Sequence, residues 1–256
     1  MKTNPYDRSF FLSQREDSRR SAAKVVPLIM DMVRPQSVVD VGCGVGTWLA
    51  EFQARGVSDI LGIDGDYVDR SMLQIAVDTF SPQNLSNGAL SSRKFDLAIS
   101  LEVAEHLPAE SAGAFVRSLT ALAPVVAFSA AIPHQGGTDH INERWQSYWA
   151  ELFRQLGYEA YDPIRPRIWT DTDVEVHYRQ NLIIYAIPVG APSERIATAH
   201  SSRPAPTDVV HPSAFFGLAE SHAQKNWGVR RSMGQLGRSA VQAVRKRFGG
   251  PTERKA

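Results

Sequence analysis

Cysteine is almost absent. Cys43 is the one thiol in 256 residues, so no intrachain disulfide can form and a reducing compartment is expected. No stretch approaches the roughly 18 uninterrupted apolar residues that a membrane span needs, and the most apolar early run, 22–33, is broken by Lys24, Pro27 and Asp31. The N-terminus has no charged segment followed by an apolar one, so no secretory signal is expected and the chain reads as cytoplasmic. A phosphate-binding P-loop and a nucleophilic triad are also missing. What is present is ordinary for a globular protein: 43% hydrophobic and 21% charged residues exclude wholesale disorder.

The C-terminal quarter lacks acid. Residues 1–190 carry 17 lysines and arginines against 23 aspartates and glutamates, a net −6, whereas residues 191–256 carry 11 against 4, a net +7. Such an asymmetry speaks of partners and surfaces, not of fold. Short β-branched runs alternate with helical patterns up to Pro188, which predicts an α/β domain with a mostly parallel, doubly wound sheet over 1–188. Strands are expected at 37–41, 59–63, 74–77, 95–101, 124–132, 158–162 and 180–187. Helices are expected at 18–33, 48–55, 67–73, 109–122 and 142–156, with Ser18 as an N-cap and Gly56 and Gly157 closing two of them. The proline- and serine-rich stretch 189–212 reads as a linker. Beyond it, 213–256 reads as a basic amphipathic helical tail, with Met233, Leu236, Ala240, Val241, Val244 and Phe248 at helical spacing among arginines.

The first chemical motif runs Asp40-Val41-Gly42-Cys43-Gly44-Val45-Gly46, after an apolar strand and before a helix. Glycines there let backbone approach a ligand, and the helix start offers free N–H groups. The spacing is not the dinucleotide pattern, and the acid ahead of the first glycine would repel a pyrophosphate. This loop resembles the first motif of the class I S-adenosylmethionine-dependent methyltransferases. Leu61-Gly62-Ile63-Asp64 resembles their second strand, whose acid meets the ribose. Asp78 resembles the acid that meets the adenine, and Phe95 to Ser100 resembles the fourth strand. The resemblance implies a seven-stranded Rossmann-like sheet, its seventh strand antiparallel. It further implies an S-adenosylmethionine site built from Asp40, Gly42, Cys43, Gly44, Gly46, Asp64, Gly65, Asp78, Ser100 and Glu102.

A second constellation is Glu102, Glu105 and His106, whose offsets of three and four bring the side chains to one side of a helical turn. Two carboxylates and an imidazole suit Mg²⁺, Mn²⁺ or Zn²⁺. Equally, Glu102 is a cofactor contact and the pair after it opens a helix. Thr138-Asp139-His140, ahead of an aromatic-rich helix, resembles the segment that supplies the last metal ligand in small-RNA 2′-O-methyltransferases. Those enzymes, like the ubiquinone-pathway O-methyltransferases, carry a similar Glu-x-x-Glu-His element. By that resemblance Glu102, Glu105, His106 and His140 hold a divalent cation, and His106 and His140 are the catalytic candidates. Without metal, the histidines would act as bases or acceptor contacts.

Gly136-Gly137 read as a closing loop or as a plain turn, and His134 as a solvated loop residue or an acceptor contact. The stripe Trp145, Tyr148, Trp149 and Phe153 reads as core, with one ring available to the acceptor. Tyr6, Arg19 and Ser21, near the opening helix, are further acceptor contacts or simple surface residues. The whole pattern resembles bacterial methyltransferases of glycan and secondary-metabolite pathways, which implies O-methylation of a sugar or small-molecule hydroxyl. RNA ribose methylation and a cofactor-binding regulatory protein without turnover are the alternatives; the acidic body disfavours nucleic acid. The basic tail implies peripheral contact with an anionic membrane, or packing onto the acidic body or a partner.

Overall fold

A computed structural model describes residues 8–89, 91–199, 208–217 and 219. One compact unit runs from Met1 to His211 and a second from Pro212 to Ala256. In chain order the first unit holds α1 (Arg8–Val33), β1 (Ser37–Val41), α2 (Thr47–Ala54), β2 (Asp59–Asp64), β3 (Phe80–Pro82), β4 (Leu97–Leu101), α3 (Ala112–Leu122) and β5 (Val125–Ser129). It continues with α4 (Gln146–Gln155), β6 (Glu159–Tyr161), α5 (Arg165–Ile168), α6 (Val176–Asn181), β7 (Ile183–Ala186) and α7 (Ala191–Ala199). Among the described residues of the second unit, 212–217 are helical, and Phe215 and Phe216 are exposed. Apart from residue 219, the rest of the tail, and Tyr6, lie outside the described residues. No helix of the described residues is long and apolar enough to cross a membrane.

The seven strands form one sheet in the order β3-β2-β1-β4-β5-β7-β6, parallel except for β7. Central strands are buried along their whole length because helices cover both faces. Val25, Val26 and Ile29 of α1 and Leu49 and Phe52 of α2 fill one face. Phe115 and Leu119 of α3 and Trp149 and Phe153 of α4 fill the other. Pro27 sits inside α1 and has no N–H to give the Ala23 carbonyl, which accepts instead from the Arg55 guanidinium at 3.4 Å. The order of strands reverses between β1 and β4, and the crevice for ligands in such sheets opens at the carboxyl ends there.

The structure corrects several expectations. Residues 74–77 form no strand; β3 lies at Phe80–Pro82, a three-residue edge strand too short to show a pattern. Only a 3₁₀ turn, Arg70–Met72, stands where a helix over 67–73 is expected. Ser18 lies inside α1, not at its cap, because the helix begins ten residues earlier.

The supposed linker 189–212 is largely part of the domain. Ile196 of α7 is buried, and Arg195 donates to the Met32 and Val33 carbonyls, which lack intrahelical partners at the end of α1. Residues 208–211 return to the core. Asp208 accepts from the Ser147 N–H at 2.7 Å and caps the start of α4, and Gln146 donates to the Val209 carbonyl at 2.9 Å. His211 donates its N–H to the buried Gln180 side chain at 2.8 Å.

A chain ending at Pro188 would lose that cap and leave buried amides unpaired, at about 1–3 kcal/mol for each orphaned group. It is expected to melt about 10 °C or more below the full chain. A chain ending at His211 should melt with the full chain when followed by circular dichroism. Equal melting of the two truncations would contradict the structural role of 189–211.

Candidate functional site

A cavity of about 1000 Å³ opens at the carboxyl edge of the sheet. Gly42, Cys43 and Gly44 form one wall. Gly42 has φ +89°, and a Cβ there would fall on the Val103 side chain, so only glycine fits. Gly44, at φ +53°, turns its N–H onto the Asp64 carboxylate at 2.7 Å. Asp64 accepts also from the Gly65 N–H at 2.6 Å and the Tyr67 hydroxyl at 2.5 Å. Burial pushes the Asp64 carboxyl up, while these three donors and the nearby His106 favour its charged form. The Tyr67 hydroxyl occupies an acceptor position that a ligand hydroxyl would also use.

Asp40, Gly46 and Ser100 do not line the cavity. Gly46 opens α2 in a left-handed conformation, and the fully buried Ser100 hydroxyl lacks a hydrogen-bond partner among the described residues. Asp40 is buried as part of β1. Burial, and then the neighbouring Asp64, push its carboxyl well above the usual carboxylate range. A carboxyl raised in this way contributes stability at acid pH that is lost as pH rises through its folded value. Without ligand, Asp40→Asn should therefore melt above the parent near neutral pH. The advantage should shrink towards zero as pH falls below about 4, the ordinary range for aspartate. A melting difference that does not change with pH would contradict this.

Asp78 is a correction. It is exposed on a 3₁₀ turn ahead of β3 and does not line the cavity, because the strand lies later than the sequence suggests. Gln83 and Asn84, just beyond β3, take the expected place of that acid at the cavity wall.

Glu102 follows β4 with φ +55°. The Gln135 amide donates to one carboxylate oxygen at 2.7 Å and the Asn181 amide to the other at 3.2 Å. Its expected place among metal ligands is not what the structure shows. The left-handed residue and the 3₁₀ turn Ala104–His106 replace the helical turn that the spacing suggests. The groups that do converge are Glu105, His106 and His140, whose ligand atoms lie within 4.8 Å of one another. The two imidazole rings meet edge to face at 4.8 Å between centroids.

Glu105 is fully buried, and among the described residues neither carboxylate oxygen has a hydrogen-bond partner in good geometry. Burial and the adjacent Glu102 push its carboxyl well up. Burial and the neighbouring His140 push the His106 imidazole down, which favours its neutral form. A bare buried carboxylate beside two imidazoles is the donor set of a divalent cation site.

His140 Nδ1 lies 3.1 Å from Glu143, which leaves Nε2 as its free nitrogen. Glu143 also accepts from the His134 and Gly136 N–H groups at 2.7 and 2.8 Å, and so folds the loop that carries His140. A Cβ at Gly137 would fall on the His140 ring, so the glycine makes room for the imidazole. His134 is exposed and does not line the cavity. Trp149 and Phe153 are core, and Trp145 is exposed. The aromatic rings at the cavity are instead Tyr67, Trp48 and Tyr178, the last two packed edge to face at 5.1 Å. Cys43 is buried, as expected of a small filler, and burial pushes its thiol up.

A model described as a methyltransferase domain matches residues 13–175. No curated protein matches the chain significantly. Among solved structures, DesVI from Streptomyces venezuelae is 16% identical over 70% of this chain and 95% of its own, with a TM-score of 0.51. A sugar N-methyltransferase from Streptoalloteichus sp. is 15% identical over 73% of this chain and 97% of its own, with a TM-score of 0.51. An amino pentose methyltransferase from Micromonospora echinaspora, with its cofactor bound, is 15% identical over 73% of this chain and all of its own, with a TM-score of 0.50. At such identities the likeness is one of fold.

Proposed function

Because the chain belongs to the class I S-adenosylmethionine-dependent methyltransferases, we propose that it methylates a hydroxyl of a sugar or another small molecule with the help of a divalent cation. The observation that carries this reading is that the glycine loop and the Glu105, His106 and His140 cluster open into one cavity. S-adenosylmethionine would supply the methyl group, and a divalent cation would lower the pKa of the hydroxyl that receives it. Backbone at Gly42 to Gly44 gives the cofactor a close seat, and Asp64 offers its carboxylate to the ribose. In-line transfer needs mainly orientation, which this rigid sheet edge provides.

The bare Glu105 carboxylate and two imidazoles suit Mn²⁺ or Zn²⁺, and with added water Mg²⁺. Glu143 fixes the His140 ring so that Nε2 is the ligand nitrogen. The sugar methyltransferases that share the fold are in keeping with a sugar acceptor. RNA ribose methylation is disfavoured, since no described lysine or arginine lines the cavity and phosphate contact relies on those residues.

Labelled S-adenosylmethionine and pooled hydroxyl acceptors test the reading. Transfer should stop in EDTA and return on adding Mn²⁺. Full transfer in chelator would remove the cation from the account, and transfer to RNA alone would replace the acceptor class.

A further inference from the structure

Among the described residues seven carboxylates line the cavity, and no lysine or arginine lines it with them. Most have assigned partners. Asp64 and Glu105 face the cofactor seat and the imidazole cluster, and Glu102 is held by two amides. Asp17 and Asp66 pair with Arg20 and Arg70 at 2.5 and 2.7 Å. Asp139 is exposed to solvent.

Glu175 differs from all of these. It is half-buried at the start of α6, and its backbone N–H is held by the Ser21 hydroxyl at 3.0 Å. Among the described residues, its carboxylate takes part in no hydrogen bond and no ion pair. The aromatic rings of Trp48 and Tyr178 line the same cavity and are themselves buried. A carboxylate without a described partner, in a cavity that these two aromatic rings also line, is the chemistry that holds an ammonium group.

Resting on the methyltransferase reading, we propose that the acceptor carries a protonated amine on the moiety that is methylated, with Glu175 as its counter-ion. The amine, being protonated, is a handle for binding, and the hydroxyl is the group that reacts. A phosphate on the same moiety would enter a wall rich in carboxylates that no described lysine or arginine lines, so the enzyme acts on an amino sugar or amino alcohol whose reacting part is free of phosphate.

Three probes with one skeleton test this. Glucosamine, glucose and glucose 6-phosphate are titrated by NMR into the full chain saturated with S-adenosylhomocysteine. Glucosamine should bind at least about tenfold tighter than glucose, and glucose 6-phosphate should not bind. In Glu175→Gln, an isosteric change at a carboxylate with no partner among the described residues, glucosamine should fall to the level of glucose. The affinity for S-adenosylhomocysteine should move less than about twofold.

Equal affinity for the three probes, binding of none, preference for the phosphate or an unaffected Glu175→Gln variant would each overturn the proposal. If S-adenosylhomocysteine itself fails to bind the parent chain, the methyltransferase reading fails first, and the proposal with it.

Discussion

Replacing Asp64 with alanine should weaken S-adenosylmethionine binding about 100-fold or more. The carboxylate is positioned by three donors, from Gly44, Gly65 and Tyr67. Its place in the family pattern is the ribose contact. Hydrogen bonds to a charged acceptor are worth about 1.5–3 kcal/mol each, so losing the ribose pair accounts for at least two decades of affinity. Alanine also frees the Gly44 N–H, which loosens the loop that must lie against the cofactor. The fold should survive, because Asp64 stands at the end of β2 and its burial disfavours the charge it carries. Calorimetry with S-adenosylmethionine, beside circular dichroism, reads both effects. A folded variant with unchanged affinity would contradict the assignment of the seat.

The second large effect concerns the cluster. His140→Ala should lower methyl transfer by about 10³-fold, in the range expected when proton removal from the acceptor is lost. Glu105→Gln, which keeps the shape and removes the charge, should do much the same and should weaken Mn²⁺ binding. Glu143→Gln loosens the orientation of His140 and the loop that carries it, and should cost about 10–100-fold. In all three, S-adenosylmethionine affinity should stay within about threefold of the parent, since none of these side chains belongs to the glycine loop. Loss of cofactor binding in step with transfer would show that the cluster serves the cofactor and not the acceptor.

The parts of this site that could be read from sequence are those held together by the chain itself. Gly42 to Gly44 lie in a contiguous strand, turn and helix start, and Asp64 ends the next β-branched run, so local pattern was enough for them, though not for Asp40 and Gly46, which stay outside the cavity. Glu105 and His106 were also nameable, because they lie just after β4, and His140 because Thr138-Asp139-His140 resembles a segment of related enzymes. Glu102 was misplaced because helical spacing assumes a right-handed turn, and residue 102 is left-handed.

Its real partners, Gln135 and Asn181, lie 33 and 79 residues away. Amides of this kind carry no charge, spacing or motif that announces them. Asn181 also donates to Gln135, and Gln180 passes the same network on to His211. That network is why 208–211 belong to the domain despite a composition that reads as linker. Asp78 failed for a different reason: β3 is three residues ending in proline, with too few positions for a period to show. Glu175 had no signal at all, since only the fold brings it to the wall shared with Trp48 and Tyr178.

The central claim is that the Gly42 to Gly44 loop and Asp64 form a seat for S-adenosylmethionine and not for a dinucleotide or a nucleoside triphosphate. Equilibrium titration of the full chain with S-adenosylmethionine, NAD and ATP tests it most directly. S-adenosylmethionine should saturate the protein at one molecule per chain with a dissociation constant on the order of micromolar, and the other two should bind at least about 100-fold more weakly. Saturation by NAD or ATP, with no response to S-adenosylmethionine, would contradict it.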